Sequence, residues 1–394
     1  MKICWVVDNK FRDLYGLYDL KKKLKEENSD LHIINKFHWL YALKLFNPHY
    51  VVLPNLHEFM GMPILRFCKK NDIRVILYNS EGFHYDENLF NYYFPKKEFK
   101  NLYKIYVWSP QEKKLLIKSG YPSSKIILTG ALKLQIKKEK KDIKRIKKIG
   151  IISTGKFFST RFNRNDVLMR QLFRRKNLKE DGINAQLMHY EIEFLSIIKK
   201  IIFLTNKKYE FILRPHPMES SEFYENSYFK TDKSNNIRDF LNKVDVIINH
   251  YSTASLDALV YNVPTISPEY ILDKSYRFSL LNNFFPKNLA YKPKNLDELT
   301  LILRDKFFLK NYNQKYKKKF KNFFFKHHSV NDGILRVVKS FDHYPKKGKF
   351  NFFKSLIMFV IYEVYFFLKY NTKTTYRAYS KKDKQLLKNF SINK

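Results

Sequence analysis

At 394 residues the chain is long enough for two domains of ordinary size, and a hydrophobic content of 44% supplies apolar cores for both. A formal charge of +38 calls for a polyanionic partner: nucleic acid, acidic lipid or anionic glycan. Two cysteines, Cys4 and Cys68, exclude a disulfide framework and fit a reducing cytosol.

The first apolar run, Ile3 to Val7, is followed at once by Asp8, so it is too short for a signal peptide and reads as a strand. Leu14 to Glu27 forms a charged helix. Leu31 to Ile34, Val51 to Leu53 and Val75 to Leu77 are further strands, separated by helices near Tyr41 to Phe46 and Pro63 to Lys70. Alternation of strand and helix implies a parallel, doubly wound α/β sheet. Functional groups in such sheets gather at the carboxyl ends of strands. Glu81 falls there, in Tyr78-Asn-Ser-Glu-Gly-Phe83, with Gly82 permitting a tight turn. Glu81 is therefore a candidate catalytic carboxylate, the alternative being a cap for the next helix. His84 and Asp86 stand next in line. Ile105 to Trp108 and Ile126 to Leu128 are two more strands around a helix from Pro110 to Ser119.

Lys137 to Lys148 carries eight basic and two acidic residues in twelve and reads as a linker between residues 1–136 and 149–344. A solvated helix, a hinge or a basic rim beside a cleft all suit that composition. Lys148 to Thr154 opens a second sheet. Gly150-x4-Gly155-Lys156 approaches a P-loop, but Phe157 stands where Ser or Thr is required and the pattern begins inside the strand, so a triphosphate site is rejected. The loop Lys156 to Asn165 presents Lys156, Arg161 and Arg164, either to an anionic acceptor or donor phosphate or simply to solvent. A helix from Glu191 to Phe203 leads to the strand and stiff loop Phe211-Ile-Leu-Arg-Pro-His-Pro217. Two prolines fix the backbone around His216, whose imidazole can donate to a phosphate oxygen or move a proton.

The stretch from Asp245 to Ser267 reads as strand, hydroxyl-rich turn, helix, strand. Val246 to Ile248 is a buried strand, Ser252 an N-cap, Ala254 to Tyr261 a helix, and Pro264 its end. A helix start lined by Ser252, Thr253 and Ser255 suits a phosphate. Asp257, four residues after Thr253 on the same face, can accept two hydrogen bonds from a ribose diol. Farther on, Asn295-Leu-Asp-Glu298 is a capping box before a helix to Arg304, and Tyr312 to Phe325 is a lysine-rich helix. Leu356 to Leu368 is apolar but spans only about 21 Å as a helix, too little for a hydrocarbon core of about 30 Å. Basic residues flank it, so residues 345–394 are expected to lie on an anionic membrane surface. The alternative is a terminal helix docked on the N-terminal domain.

Arg-Pro-His-Pro217 followed by His250-Tyr-Ser-Thr-Ala-Ser-Leu-Asp-Ala-Leu-x-x-Asn-x-Pro-Thr-Ile266 resembles the C-terminal half of GT-B glycosyltransferases of bacterial surface polysaccharides. The nearest groups are capsule-type Kdo transferases, CDP-glycerol phosphotransferases of teichoic acid synthesis and UDP-N-acetylglucosamine 2-epimerase-like proteins. The turn around Glu81 also resembles the Glu-Asp-Gly-Phe turn of capsule Kdo transferases, one residue shorter. Asn331-Asp-Gly-Ile-Leu-Arg336 resembles the Asp-Gly helix start near the end of these transferases. The resemblance implies two Rossmann-like domains facing a cleft. It implies that His216, Ser252 and Thr253 hold the donor's phosphate and Asp257 its ribose; Arg214 and Ser255 complete the expected nucleotide-sugar site, and Glu81 and His216 are the candidate catalytic residues.

The expectation is thus a metal-independent glycosyltransferase of capsule or lipopolysaccharide type, cytoplasmic and peripheral on the inner membrane face. No Asp-x-Asp motif occurs in the sequence, which argues against a metal-dependent GT-A enzyme. The donor is expected to be a nucleotide sugar, CMP- or CDP-linked, the acceptor a glycan or glycolipid, and no separate cofactor is expected. Polyol-phosphate transfer and 2-epimerisation are the enzymatic alternatives. Nucleic-acid binding rests on charge alone, without a recognisable motif, and is not expected.

Overall fold

The computed structural model describes residues 1–8, 10–56, 61–80, 95–134, 145–153, 193–206, 208–216, 228–234, 236–249, 252–272, 288–305, 307–324 and 332–342. The first sheet contains β1 (Lys2–Val7), β2 (Asp30–Asn35), β3 (Tyr50–Leu53), β4 (Arg74–Tyr78), β5 (Lys104–Val107) and β6 (Ile126–Leu128) in the order β2-β1-β3-β4-β5-β6. Every pairing is parallel. Among the described residues, the α-helices between these strands are α1 (Lys10–Glu26), α2 (Trp39–Phe46), α3 (Gly61–Lys70) and α4 (Pro110–Lys118). The central strands are continuous apolar runs because helices cover both faces; Tyr50 through Leu53 are all buried.

The second sheet holds β7 (Lys148–Ile152), β8 (Glu210–Arg214), β9 (Lys230–Thr231), β10 (Val246–Ile248) and β11 (Thr265–Ile266) in the order β11-β10-β7-β8-β9, again parallel throughout. Its helices include α5 (residues 193–204), α6 (Ile237–Lys243), α7 (Ala254–Val260), α8 (Leu296–Arg304) and α9 (Phe308–Phe324). Gly150 in β7 is needed for close packing: a Cβ there would lie 2.6 Å from the Phe240 ring of α6. The glycine that opened the near P-loop pattern thus answers to helix–strand packing. The two parallel sheets meet the expectation of a GT-B-type α/β fold.

With only 10 glycines in the chain, most of the left-handed positions among the described residues are filled by Asn and Asp. Asn28, Asn47, Asp72, Asn206 and Asn262 have φ between 46° and 59°, and each follows a helix. Their short polar side chains tolerate this conformation better than other non-glycine residues do.

A last helix, α10 (Asp332–Lys339), returns to the first sheet and packs on α1. Ser340 Oγ shares a short hydrogen bond with the hydroxyl of buried Tyr106, and Lys104 donates to the Ser340 carbonyl. Tyr50 donates to the Asp342 carbonyl at 2.7 Å, and its ring meets Phe341 edge-on at 5.1 Å. The crossing element is therefore α10, which begins at the Asp-Gly pair; the Leu356–Leu368 segment lies outside the described residues. α9 begins four residues before the expected Tyr312, because Phe308 and Leu309 join Tyr312 and Tyr316 on its buried side. Among the described residues, no helix is long and apolar enough to cross a membrane.

Candidate functional site

The carboxyl ends of the first sheet's strands frame a small cleft lined by Trp5, Asp13, Tyr78, Ser80, Trp108 and Lys133. Its floor is aromatic: Trp5 and Tyr78 meet edge-on at 5.4 Å, and Tyr78 and Trp108 lie 6.2 Å apart. Lys133 is held at the rim by a tightly determined turn. Thr129 Oγ1 donates to the carbonyls of Val107 and Gly130, and Gly130 takes a φ of 71°. The Tyr78 hydroxyl accepts the Leu132 N–H at 2.9 Å.

From that turn Lys133 reaches the second sheet. Its ammonium lies 3.1 Å from Asp257 Oδ2 on α7, with 11% and 6% of the two side chains exposed. It also sits 5.9 Å from the Trp108 ring, while Arg238 of α6 donates to its carbonyl at 3.3 Å. The carboxyl end of the first sheet is thereby joined to the β10–α7 unit of the second.

The β10–α7 turn is organised by Asn249, which is 1% exposed. Its Oδ1 accepts the Ser252 N–H at 3.1 Å; its Nδ2 donates to the Ser252 carbonyl at 3.1 Å and to Ser255 Oγ at 2.8 Å. Ser252 Oγ accepts the Ala254 N–H at 3.2 Å. The residue immediately before the helix is Thr253, whose side chain makes no capping bond. The sequence places the cap on Ser252 alone; in the fold Asn249 fixes the turn and Ser252 assists. Ser252 and Thr253 are half-buried and Ser255 and Asp257 buried, and it is Asp257 that meets Lys133.

Arg214 ends β8, two strands from β10. Its Nη1 donates to Asp232 Oδ2 at 2.6 Å and to the carbonyl and hydroxyl of Ser234, and Lys243 holds the other Asp232 oxygen at 2.8 Å. Burial pushes the Asp232 carboxyl up, but the hydrogen bonds from Lys243 and Ser234 and the charges of Arg214 and Lys243 outweigh it, leaving a net lowering. That nitrogen of Arg214 is thus committed within the fold. His216 is half-buried in the following loop. Glu81, His84, Asp86, Lys156, Arg161 and Arg164 lie outside the described residues.

Three contributors carry no motif of their own. Asn249 is one polar residue in a polar turn, and Asp13 one of several charges on α1. Lys133 does leave a signal, a single cation inside the otherwise apolar Ala131-Leu-Lys-Leu134 shortly after a strand end.

No protein-family model matches the chain, and no curated protein matches it. Solved structures do. A Listeria monocytogenes protein assigned as a UDP-N-acetylglucosamine 2-epimerase aligns over 88% of this chain and 99% of its own, at 10% identity and a TM-score of 0.54. The S. aureus MnaA–UDP complex aligns over 88% and 100%, at 10% identity and 0.53. A variant of the wall teichoic acid polymerase TagF aligns over 87% and 90%, at 12% identity and 0.51. At such identities the likeness establishes the fold, the GT-B arrangement of two Rossmann-like sheets.

Proposed function

We propose that this chain is a nucleotide-sugar enzyme of bacterial surface polysaccharide synthesis, a glycosyltransferase that moves a sugar, Kdo-like in kind, from a nucleotide donor to a glycan or glycolipid acceptor. The observation that carries the reading is the meeting of Lys133 with Asp257 beside the Asn249-organised turn. It puts a cation, hydroxyls and a carboxylate at the carboxyl ends of strands from both sheets, where α/β folds hold nucleotides. The similar structures, one of them a complex with UDP, agree with a nucleotide ligand.

In this reading the Ser252–Ser255 turn and Lys133 receive the donor phosphates, His216 and Arg214 assist, and Asp257 takes the ribose. Fixed donors stabilise the leaving nucleotide without a metal. Glu81 serves as the catalytic carboxylate, and Lys156, Arg161 and Arg164 form a basic margin for donor or acceptor. The domain of the first sheet takes the acceptor. The donor is CMP- or CDP-linked, on the Arg-Pro-His-Pro and Ser-Thr pattern. The enzyme works at the inner face of the cytoplasmic membrane.

A 2-epimerase is the second reading, favoured by Asp13, which lines the cleft and adds to the carboxylates such chemistry needs. Titration calorimetry with CMP, CDP and UDP, followed by incubation with the corresponding donor, separates the two. Tight cytidine-nucleotide binding and sugar transfer to a lipid-linked acceptor support the transferase. Conversion of UDP-N-acetylglucosamine to its 2-epimer without acceptor replaces it with the epimerase. Binding of none of the three nucleotides overturns both.

A further inference from the structure

The second sheet has an outer flank whose composition the cleft does not explain. α5 buries Phe194, Ile197, Ile198, Ile201 and Ile202 against the sheet, which turns Phe203 outward with 82% of its surface exposed. α8 buries Leu299, Ile302 and Leu303 and turns Leu301 outward, 63% exposed. Phe307, at the start of α9, is 70% exposed. The two helices end near the amino end of β8: the hydroxyl of Tyr209, which lies between α5 and β8, donates to the Leu303 carbonyl of α8 at 3.0 Å. Tyr228, 71% exposed, extends the apolar area along α5, where Lys199 Nζ lies 5.7 Å from its ring.

Cations surround these side chains. Lys199 and Lys200 precede Phe203 on α5, Lys208 follows it, and Arg304 lies between Leu301 and Phe307; all four are exposed. The charges of Arg304 and Arg145 both act on the Tyr209 hydroxyl, which places them at the same end of the sheet. Two acids lie nearby: Glu210 is paired with Lys148 and Lys230, and exposed Asp305 accepts the Phe307 N–H at 2.7 Å.

We infer that this flank is a docking surface for an anionic lipid bilayer, with Phe203, Leu301 and Phe307 entering the acyl boundary and the lysines and arginines meeting the headgroups. Separate apolar side chains standing proud of two helices, ringed by cations, match a plane of anionic headgroups above hydrocarbon. A second copy of this chain fits worse, because a two-fold contact would set Lys199, Lys200 and Arg304 against like charges. Nucleic acid would leave Leu301 without a π-face to stack on. None of these residues belongs to the basic stretch 345–394, so binding by that stretch alone gives a different experimental pattern.

The test uses the full-length chain with an environment-sensitive dye at Phe203→Cys or Phe307→Cys; the native cysteines are both buried. A Tyr18→Cys label on α1, 60% exposed in the native residue, is the control. Vesicles of phosphatidylcholine with about one third phosphatidylglycerol should shift the dye at positions 203 and 307 to the blue and shield it from an aqueous quencher. Pure phosphatidylcholine should do so far less, and the dye at position 18 should stay in water. The triple variant Phe203→Ser, Leu301→Ser, Phe307→Ser should lower partitioning to the anionic vesicles roughly tenfold. Several outcomes overturn the assignment: vesicles that bind the protein while both flank labels stay wet, a blue shift before any vesicle is added, a shift that follows protein concentration alone, or an equal response to single-stranded RNA.

Discussion

Gly16 of α1 and Leu132 of the Lys133 turn pack so closely that a Cβ on Gly16 would fall 2.5 Å from the Leu132 carbonyl carbon and 2.6 Å from its oxygen. A glycine inside a helix ordinarily costs about 1 kcal/mol relative to alanine. Here the contact is with backbone, which cannot turn aside as a side chain can. The clash therefore outweighs the gain in helix propensity. Gly16→Ala should destabilise the protein by about 1–3 kcal/mol in urea titration. It should also displace Lys133 and weaken nucleotide binding in the proposed function. An alanine variant as stable as the parent would show that α1 and this turn are not held as described.

Asn249 offers a second check on the site's construction. It makes three hydrogen bonds to the turn while 1% exposed. Asn249→Ala leaves the buried Ser255 hydroxyl and the half-buried Ser252 backbone without these bonds, a loss of about 1–3 kcal/mol. Ser252→Ala with Thr253→Val should leave the fold intact and remove hydroxyls from the phosphate position. Calorimetry should then register weaker nucleotide binding for both variants, with a fall in melting temperature mainly for Asn249→Ala. Unchanged affinity in the Ser252/Thr253 pair removes that turn from the donor site.

Much of the fold was legible because parallel strands between helices are continuous apolar runs. Val51 to Leu53, Val75 to Leu77 and Val246 to Ile248 announce themselves by composition. Helix ends were harder, since this chain stops helices with Asn and Asp, such as Asn47 and Asn262, where a glycine would have marked the boundary. The site was legible on the side where it is local in sequence. Ser252, Thr253, Ser255 and Asp257 fall within six residues, so one turn pattern exposes them. Lys133 lies 124 residues from Asp257, and only the folding of two sheets onto each other brings them together. No periodicity encodes such a meeting.

Glu112 makes a pH prediction. It is the third helical residue of α4, with Ser109 as N-cap, and its Oε2 accepts the Trp108 N–H at 2.7 Å. Burial raises its pKa to about 7, against the smaller lowering effect of the Trp108 and Ser109 hydrogen bonds. A carboxyl whose pKa is raised by folding stabilises the native state while it is protonated in both states. That contribution is complete below about pH 4.5 and fades as pH rises toward 7, by up to about 3 kcal/mol. Glu112→Gln keeps an acceptor for the Trp108 N–H and has no proton to lose. Urea titrations at pH 5 and pH 7.5 should show the parent losing stability relative to the glutamine variant at the higher pH. Parallel pH dependence in the two proteins would mean that Glu112 does not titrate in this range.

The Lys133–Asp257 pair admits two roles, and a double-variant cycle tells them apart. As a structural clamp, the pair matters only for joining the sheets. As part of the donor site, the lysine also meets phosphate and the aspartate ribose. Either single change, Lys133→Met or Asp257→Asn, strands a largely buried charge, and removing one partner of such a pair destabilises by about 3 kcal/mol or more. The double variant buries no unpaired charge, so most of that stability should return. Nucleotide affinity should not return with it. Each lost hydrogen bond to a charged group is worth about 1.5–3 kcal/mol, so the double variant should bind at least about tenfold more weakly than the parent. Chemical denaturation and calorimetry on the four proteins supply both readouts. If the double variant regains stability and nucleotide affinity together, Lys133 and Asp257 are a clamp and the donor's phosphate and ribose lie elsewhere in the cleft.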